Sequence, residues 1–330
     1  MLTRATRLDQ TVRLADGRML GYAEYGPAEG PPLFLFHGLP GSRLAAPEMW
    51  PGEPGTVQEP GRIRVIAPDR PGMGTSSFQP GRRLTDWADD VRQLADSLEI
   101  ERFLVAGFSG GGPHALAVAH GLPDRVIAVG SIAGAGLIGT RDARQALKHA
   151  NPTNRLIFTL ARRAPRLLWP LLAHHASAVR RHPGKVIDGA ARDRSLPESD
   201  RRAMTDAGLR ERMMAAASEA FRQGVRGAIH EAHICAKAWG FDPAAIKPPV
   251  HLWHGGQDTN VPVAMAQHLA EQIPGSSLTI YPGEGHLIVP KHWDENPHHT
   301  PINCPIRHDR FTMIIGIPPV PGAVTVTHMS

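Results

Sequence analysis

Cysteine is scarce in this chain, and aromatic residues make up only 5% of its 330 residues. The two cysteines, Cys235 and Cys304, cannot build a disulfide framework, and no His/Cys cluster has the spacing of zinc ligands. We therefore expect neither a metal site nor a bound cofactor. With so few aromatic rings, the core must consist mainly of Ala, Val, Leu and Ile, which suits a sheet flanked by helices.

Long apolar runs are missing as well. No run approaches the roughly 20 apolar residues that span a bilayer, so we expect no stable membrane insertion. The first ten residues contain Arg4 and Arg7 but no apolar segment of the kind found in secretory signals. Together these absences predict a cytoplasmic protein.

The net charge of +5 is unevenly distributed along the chain. Residues 141–240 contain 19 Lys and Arg against 9 Asp and Glu, whereas acidic residues are in excess elsewhere. Such a segment attracts anionic substrates or surfaces, although solvated arginine-rich helix faces give the same composition. The arginines are not interleaved with aromatics or set in a known module, so we expect no nucleic-acid partner. Nothing in the sequence indicates an oligomeric state.

Strand-like and helical patterns alternate along most of the chain, which predicts an α/β fold with an eight-stranded, mostly parallel sheet and flanking helices. Residues 11–25 predict two strands joined at Asp16-Gly17, and residues 84–98 predict an amphipathic helix. The remaining predicted strands are 33–36, 63–67, 103–106, 126–133, 250–253 and 278–281.

Residues 137–241 contain helical patterns without a convincing strand. We therefore predict a core of residues 1–136 and 242–293, with 137–241 as a helical cap over one edge of the sheet rather than an independent domain. The apolar residues that either wall a pocket or form the core of this cap are Phe158, Leu160, Leu167, Leu168, Trp169, Met213, Met214, Phe221 and Trp239.

The clearest chemical motif is Gly107-Phe108-Ser109-Gly110-Gly111, a G-x-S-x-G pattern between a predicted strand and a predicted helix. A serine hydroxyl is a weak nucleophile at neutral pH and must stand on a tight turn where a base can reach it. The glycines remove side chains where such a turn would collide with its neighbours. Ser109 is therefore the predicted nucleophile.

A base and an orienting acid follow the last two predicted strands. Asp258 comes after strand 250–253, and His286 comes after strand 278–281 in a glycine-rich loop. In a parallel sheet these loops open on the same edge as the loop of Ser109. We predict a catalytic triad of Ser109, Asp258 and His286. His114, on the helix after Ser109, is predicted to pack on the sheet.

Two further motifs complete a resemblance to the α/β-hydrolase fold family over about residues 11–293. His37-Gly38-Leu39-Pro40-Gly41 resembles the family's H-G-x-P oxyanion loop, and residues 69–76 resemble its D-x-P-G-x-G-x-S turn. The resemblance implies that the backbone N–H groups of Leu39 and Gly110 form an oxyanion hole. It also implies that His37 supports this loop, and we expect Asp69 and Arg70 to anchor turns and loops rather than to act as catalysts.

These roles favour a serine hydrolase acting on a carboxylic ester or similar acyl bond of a small molecule with an apolar acyl or alcohol part. A second interpretation keeps the triad but changes the bond, as in carbon–carbon hydrolysis, lactone opening or peracid formation. A third is a ligand-binding or signalling protein that retains the fold without turnover. An aspartate at position 109 would suggest epoxide or haloalkane hydrolysis, and the serine argues against both.

The end of the chain departs from the family pattern. After the catalytic histidine the resemblance implies an amphipathic helix, but six prolines between residues 297 and 321 forbid a continuous one. We interpret residues 294–330 as an atypical proline-rich tail, produced by a frame change or a replaced terminus.

Overall fold

The computed structural model describes residues 6–46, 63–138, 140, 145–288 and 324–327. In this part of the chain nine strands form one sheet in the order β1-β2-β4-β3-β5-β6-β7-β8-β9. The strands are β1 (Arg7–Arg13), β2 (Met19–Tyr25), β3 (Pro32–Phe36), β4 (Arg64–Pro68), β5 (Phe103–Phe108), β6 (Val126–Ile132), β7 (Val250–Gly255), β8 (Ser277–Tyr281) and β9 (Val324–Thr327).

The sheet is parallel from β4 to β8 and antiparallel at both edges. β1 and β2 form the predicted hairpin, in which Gly17 adopts a φ of 87° that favours glycine. β2 pairs antiparallel with β4, and β9 pairs antiparallel with β8. The predicted mostly parallel sheet is therefore confirmed, and its eight predicted strands are present.

The count of eight strands was one too low, because β9 lies in the segment interpreted as a proline-rich tail. Its four residues, Val-Thr-Val-Thr, follow the last proline of the chain. Because none of them is proline, each has a backbone N–H group, and the strand can pair with β8. The rest of the predicted tail, residues 294–323 and 328–330, lies outside the described residues.

Nine α-helices occur in the described residues. They are α1 (Trp87–Ser97), α2 (Gly112–Gly121), α3 (Pro152–Arg163), α4 (Leu168–Arg181), α5 (Pro183–Arg192), α6 (Glu198–Ala203), α7 (Ala207–Ala220), α8 (Arg226–Cys235) and α9 (Val263–Gln272). None of them is both long and apolar enough to cross a membrane.

Alternating strand residues supply two hydrophobic clusters, as expected for a sheet buried on both faces. Phe34 and Phe36 of β3 belong to the larger cluster, together with residues of α1, α2 and α9. Their neighbours Leu33 and Leu35 belong to a cluster that also contains Trp253 of β7. The sheet is therefore covered by apolar side chains on both faces.

Helices α3 to α8 lie between β6 and β7 in the chain, where the helical segment was predicted. Leu168 and Phe221 are buried in two small clusters of this segment, whereas Trp239 packs in the main core of the sheet. Leu167 and Trp169 are more than half exposed and thus do not wall a closed pocket. The boundaries of a cap at 137 and 241 stay a prediction.

Candidate active site

Ser109 stands at a sharp turn between β5 and α2. Its φ of 52° lies in the left-handed region, which non-glycine residues rarely adopt. The turn is so tight that a Cβ at Gly107 would lie 2.1 Å from the carbonyl oxygen of Gly111. Ser109 itself is partly exposed. Such strain at a polar residue commonly marks a functional site, and here it holds the hydroxyl clear of the sheet.

Asp258 and His286 meet at the carboxyl ends of β7 and β8. The Nδ1 of His286 lies 2.7 Å from Oδ2 of Asp258 and donates a hydrogen bond to it. The other carboxylate oxygen of Asp258 accepts hydrogen bonds of 2.8 Å from the backbone N–H groups of Asn260 and Val261. With the proton of the neutral imidazole on Nδ1, Nε2 remains as the proton acceptor of His286.

The electrostatics of this pair favour a negative carboxylate beside a basic imidazole. Burial would raise the pKa of Asp258, but the neighbouring His286 and His254 hold it well below its usual range. Burial would lower the pKa of His286, but the charge and hydrogen bond of Asp258 and the charge of Asp200 together raise it. Asp258 is thus ionised at neutral pH and stabilises the protonated form of His286.

The histidine also lies beside the serine turn. The ring centroids of His286 and Phe108, the residue before Ser109, are 5.0 Å apart. Among the described residues, no hydrogen bond joins the Oγ of Ser109 to His286. The structure therefore brings Asp258 and His286 into direct contact and places both next to the turn, without closing the bond between hydroxyl and imidazole.

Leu39 and Gly110 approach each other closely across the same site. A Cβ at Gly110 would lie 2.9 Å from the Cβ of Leu39 and 3.5 Å from its backbone nitrogen. A Cβ at Gly38 would lie 3.5 Å from the Cβ of Ser109. The two backbone N–H groups implicated as oxyanion donors therefore lie on adjoining segments next to the serine.

The loop that carries Leu39 is held from behind by Arg70. The guanidinium of Arg70 donates hydrogen bonds to the carbonyl oxygens of His37 (2.5 Å) and Gly38 (2.9 Å). His37 contributes through both ring nitrogens, since Nδ1 lies 2.8 Å from the Gly38 carbonyl oxygen and Nε2 accepts from the backbone N–H of Arg70. Asp69 accepts a backbone hydrogen bond from Arg43 and another from Thr75. These contacts match the supporting roles expected of His37, Asp69 and Arg70.

A family model described as "alpha/beta hydrolase fold" matches residues 31–292 of this chain. The chain belongs to the alpha/beta hydrolase fold family. The matched region contains Ser109, Asp258 and His286, together with the loops of Leu39 and Arg70.

Three individual proteins are similar to this chain over most of its length. The 30 kDa subunit of magnesium chelatase from Rhodobacter capsulatus is 29% identical over 80% of this chain and 83% of its own length. A solved alpha/beta hydrolase fold protein from Nakamurella multipartita is similar with a TM-score of 0.58 at 24% identity, covering 86% of this chain and 94% of its own. An esterase from Exiguobacterium antarcticum has a TM-score of 0.56 at 20% identity, covering 84% and 92%.

One contact of this alpha/beta hydrolase was not anticipated from the sequence. Asp200 of α6 accepts hydrogen bonds from the backbone N–H groups of His286 (2.9 Å) and Leu287 (2.8 Å), and Ser199 accepts one from Gly285 (2.9 Å). Asp200 is buried, and burial raises its pKa despite these donors. The helical segment thus holds the loop of the histidine directly. A lone aspartate in a short, polar helix gives no sequence signal for this role.

A buried charged cluster connects α8 to the serine turn. Glu231 lies 2.9 Å from Nε of Arg70 and 3.2 Å from Nε2 of His114, and it also pairs with Arg82. Nδ1 of His114 lies 2.9 Å from the carbonyl oxygen of Gly110. His114 is therefore buried between α8 and the serine turn, in line with the structural role expected of it.

His114, Glu231 and Cys235 bring three potential metal-ligand atoms within 4.8 Å of one another. Their surroundings do not suit a cation. Glu231 is already neutralised by two guanidinium groups, and burial raises the pKa of the Cys235 thiol to about 11. A metal ion would have to displace the arginines and ionise this thiol, so the cluster is better explained as a structural ion network.

Proposed function

We propose that this protein is a serine hydrolase that cleaves a carboxylic ester or similar acyl bond of a small molecule. The observation that carries the proposal is the 2.7 Å hydrogen bond between His286 and Asp258 beside a serine in a left-handed turn. Membership of the alpha/beta hydrolase fold family and the esterase among the similar structures support it.

In the proposed reaction, Nε2 of His286 accepts the proton of Ser109 as Oγ attacks the carbonyl carbon. Asp258 stabilises the imidazolium that forms, and the N–H groups of Leu39 and Gly110 bind the oxyanion. His286 then donates its proton to the departing alcohol, which leaves an acyl group on Ser109. Water attacks this acyl group, His286 takes the water's proton and returns it to Ser109, and the carboxylic acid is released.

The two backbone donors contribute strongly to such a reaction. Loss of one oxyanion donor costs about 3 kcal/mol of transition-state stabilisation in a comparable enzyme. The partly buried apolar side chains of Leu39 and Phe108 flank the serine, which supports a substrate with an apolar acyl or alcohol part. A hydroxyl–imidazole bond that closes only when substrate binds is compatible with the open arrangement of Ser109 and His286.

The proposal is tested with a fluorophosphonate probe and p-nitrophenyl esters of graded chain length. Native protein should be labelled and should hydrolyse at least one ester, whereas Ser109→Ala should lose labelling and at least about 1,000-fold in kcat. Ser97→Ala is the matched control, because Ser97 ends α1 and donates only to the carbonyl oxygen of Leu94. This control should keep both activities.

The alternatives give distinct results in the same experiments. Turnover of a vinylogous diketone or a lactone, with p-nitrophenyl esters left intact, would keep the triad but replace the ester substrate. A native protein that neither reacts with the probe nor turns over any of these compounds would contradict catalysis and favour the ligand-binding interpretation.

A further inference from the structure

The helical segment exposes an unusual concentration of large apolar side chains. Among the described residues, eight such side chains are strongly exposed, and four of them lie between residues 156 and 171. They are Leu156 (51%), Leu167 (61%), Trp169 (53%) and Leu171 (39%). Leu167, Trp169 and Leu171 lie at the junction of α3 and α4, and we call these three residues the apolar tip.

The segment of the chain around this tip contains basic residues but no acidic ones. Residues 143–187 contain nine Lys and Arg and no Asp or Glu. Arg162, Arg163 and Arg166 immediately precede the tip, and none of them forms an ion pair with a described carboxylate. Arg162 and Arg163 also line a cavity of about 220 Å³, together with apolar residues such as Ile138 and Phe158. The positive charge of this surface is therefore available to an external anion.

We infer that the apolar tip and its arginines form a docking surface for a bilayer containing anionic lipids. Tryptophan and leucine side chains enter the boundary between headgroups and acyl chains, while neighbouring arginines reach the lipid phosphates. Side chains that are more than half exposed protrude from the protein, and a bilayer accepts protrusions without a matching groove. This binding is peripheral and adds to the proposed hydrolase function without depending on it.

A bilayer fits these observations better than two other occupants. A second copy of the chain would bring its own acid-free segment against the first, and the like charges would repel each other. A nucleic acid would use the arginines but would leave the leucines of the tip without an apolar partner. Only an anionic surface with an apolar interior can bind both the arginines and the apolar side chains of the tip.

The test is co-sedimentation of the full chain with vesicles of phosphatidylcholine, either alone or mixed with phosphatidylserine. We expect binding to the mixed vesicles, weak binding to phosphatidylcholine alone, and weakening by salt. The triple variant Arg162→Gln, Arg163→Gln, Arg166→Gln should lower the partition coefficient on the order of 100-fold. Leu167→Ser combined with Trp169→Ser should lower it on the order of 10-fold or more.

Matched control variants remove positive charges or exposed apolar side chains outside the helical segment. One control is the triple variant Arg83→Gln, Arg92→Gln, Arg102→Gln, which removes three positive charges around α1. The other is the double variant Leu8→Ser, Met19→Ser, which removes two exposed apolar side chains from the β1–β2 hairpin. Both controls should bind mixed vesicles as native protein does. Far-UV circular dichroism verifies that every variant is folded.

Several results would overturn the inference. Absence of native binding to mixed vesicles, or equal losses in tip and control variants, would do so directly. Binding to heparin or DNA that ignores the Leu167 and Trp169 changes would assign the surface to a polyanion. Self-association that disappears with Leu167→Ser would assign it to a second copy. Hydrolysis of soluble short-chain esters should be unaffected in the tip variants, so failure of the esterase assay leaves this test intact.

Discussion

His286 is held by two carboxylates that act on different atoms. Asp258 accepts from the ring Nδ1, which fixes the tautomer, and Asp200 accepts from the backbone N–H of the same residue. The Phe108 ring also packs against His286, and His254 contacts the same carboxylate oxygen of Asp258. Asp200 belongs to the helical segment, and its negative charge raises the pKa of His286. This segment therefore influences the basicity of the proposed base.

Replacing Asp200 with asparagine should change the pH profile of hydrolysis. The base must be neutral to accept a proton, so activity falls as pH falls through the pKa of His286. That pKa is raised, and we expect the acidic limb of kcat/KM above the usual 6.5 of histidine. Asp200→Asn removes a negative charge that favours the imidazolium, so the acidic limb should move to lower pH.

The comparison for Asp200→Asn is Asp193→Asn. Asp193 is an exposed carboxylate of the same segment that accepts from the backbone N–H of Ser195, and within the described residues it forms no hydrogen bond or ion pair with the histidine loop. Its substitution should leave the acidic limb in place. A limb that stays fixed in Asp200→Asn while kcat falls would reduce Asp200 to a purely structural anchor.

At the scale of the element, Glu231 joins α8 to Arg70 and Arg82, which lie in the chain between β4 and α1. This residue is fully buried between the guanidinium groups of Arg70 and Arg82, and Arg70 holds the loop of Leu39. Glu231→Gln would leave two buried positive charges without their counterion. We expect a loss of about 3 to 5 kcal/mol in the free energy of unfolding, measured by urea titration.

Glu211→Gln provides the isosteric control for this prediction, since Glu211 is exposed on α7. Its effect should stay within about 0.5 kcal/mol. Equal effects of the two substitutions would show that the buried network contributes nothing specific. If Glu231→Gln remains folded, a fall in kcat larger than the change in KM would connect the network to the oxyanion loop.

Elements with strong local patterns were predictable, and contacts between distant elements were not. The apolar run of residues 103–106 followed by glycines around Ser109 indicates both a strand and its turn, because the motif and the geometry are local. Asp200 and Glu231 lie on helices whose sequences contain no motif, and their partners are 86 and 161 residues away in the chain. β9 was missed because four alternating residues after a proline-rich stretch give too short a pattern to outweigh the prolines.

On the scale of the whole molecule, three of the polar attachments between the helical segment and the rest of the chain lie at loops of the proposed site. Asn151, at the start of α3, bonds to the loop that follows Asp258 through Thr259 and Asn260. Asp200 holds the histidine loop, and Glu231 holds the arginines below the oxyanion loop. Each attachment therefore reaches one of the loops that carry the proposed catalytic groups, so loss of the segment would disturb all of them.

These attachments predict that sheet and helical segment unfold together. Urea unfolding followed by tryptophan fluorescence and by far-UV circular dichroism should give coincident transitions with one midpoint. The two signals weight the parts differently, since Trp87 and Trp253 are buried in the sheet core and Trp169 of the helical segment is more than half exposed, while this segment contributes much of the circular dichroism. Two separated midpoints would contradict a segment that depends on the sheet and would indicate that residues 137–241 fold as an independent domain.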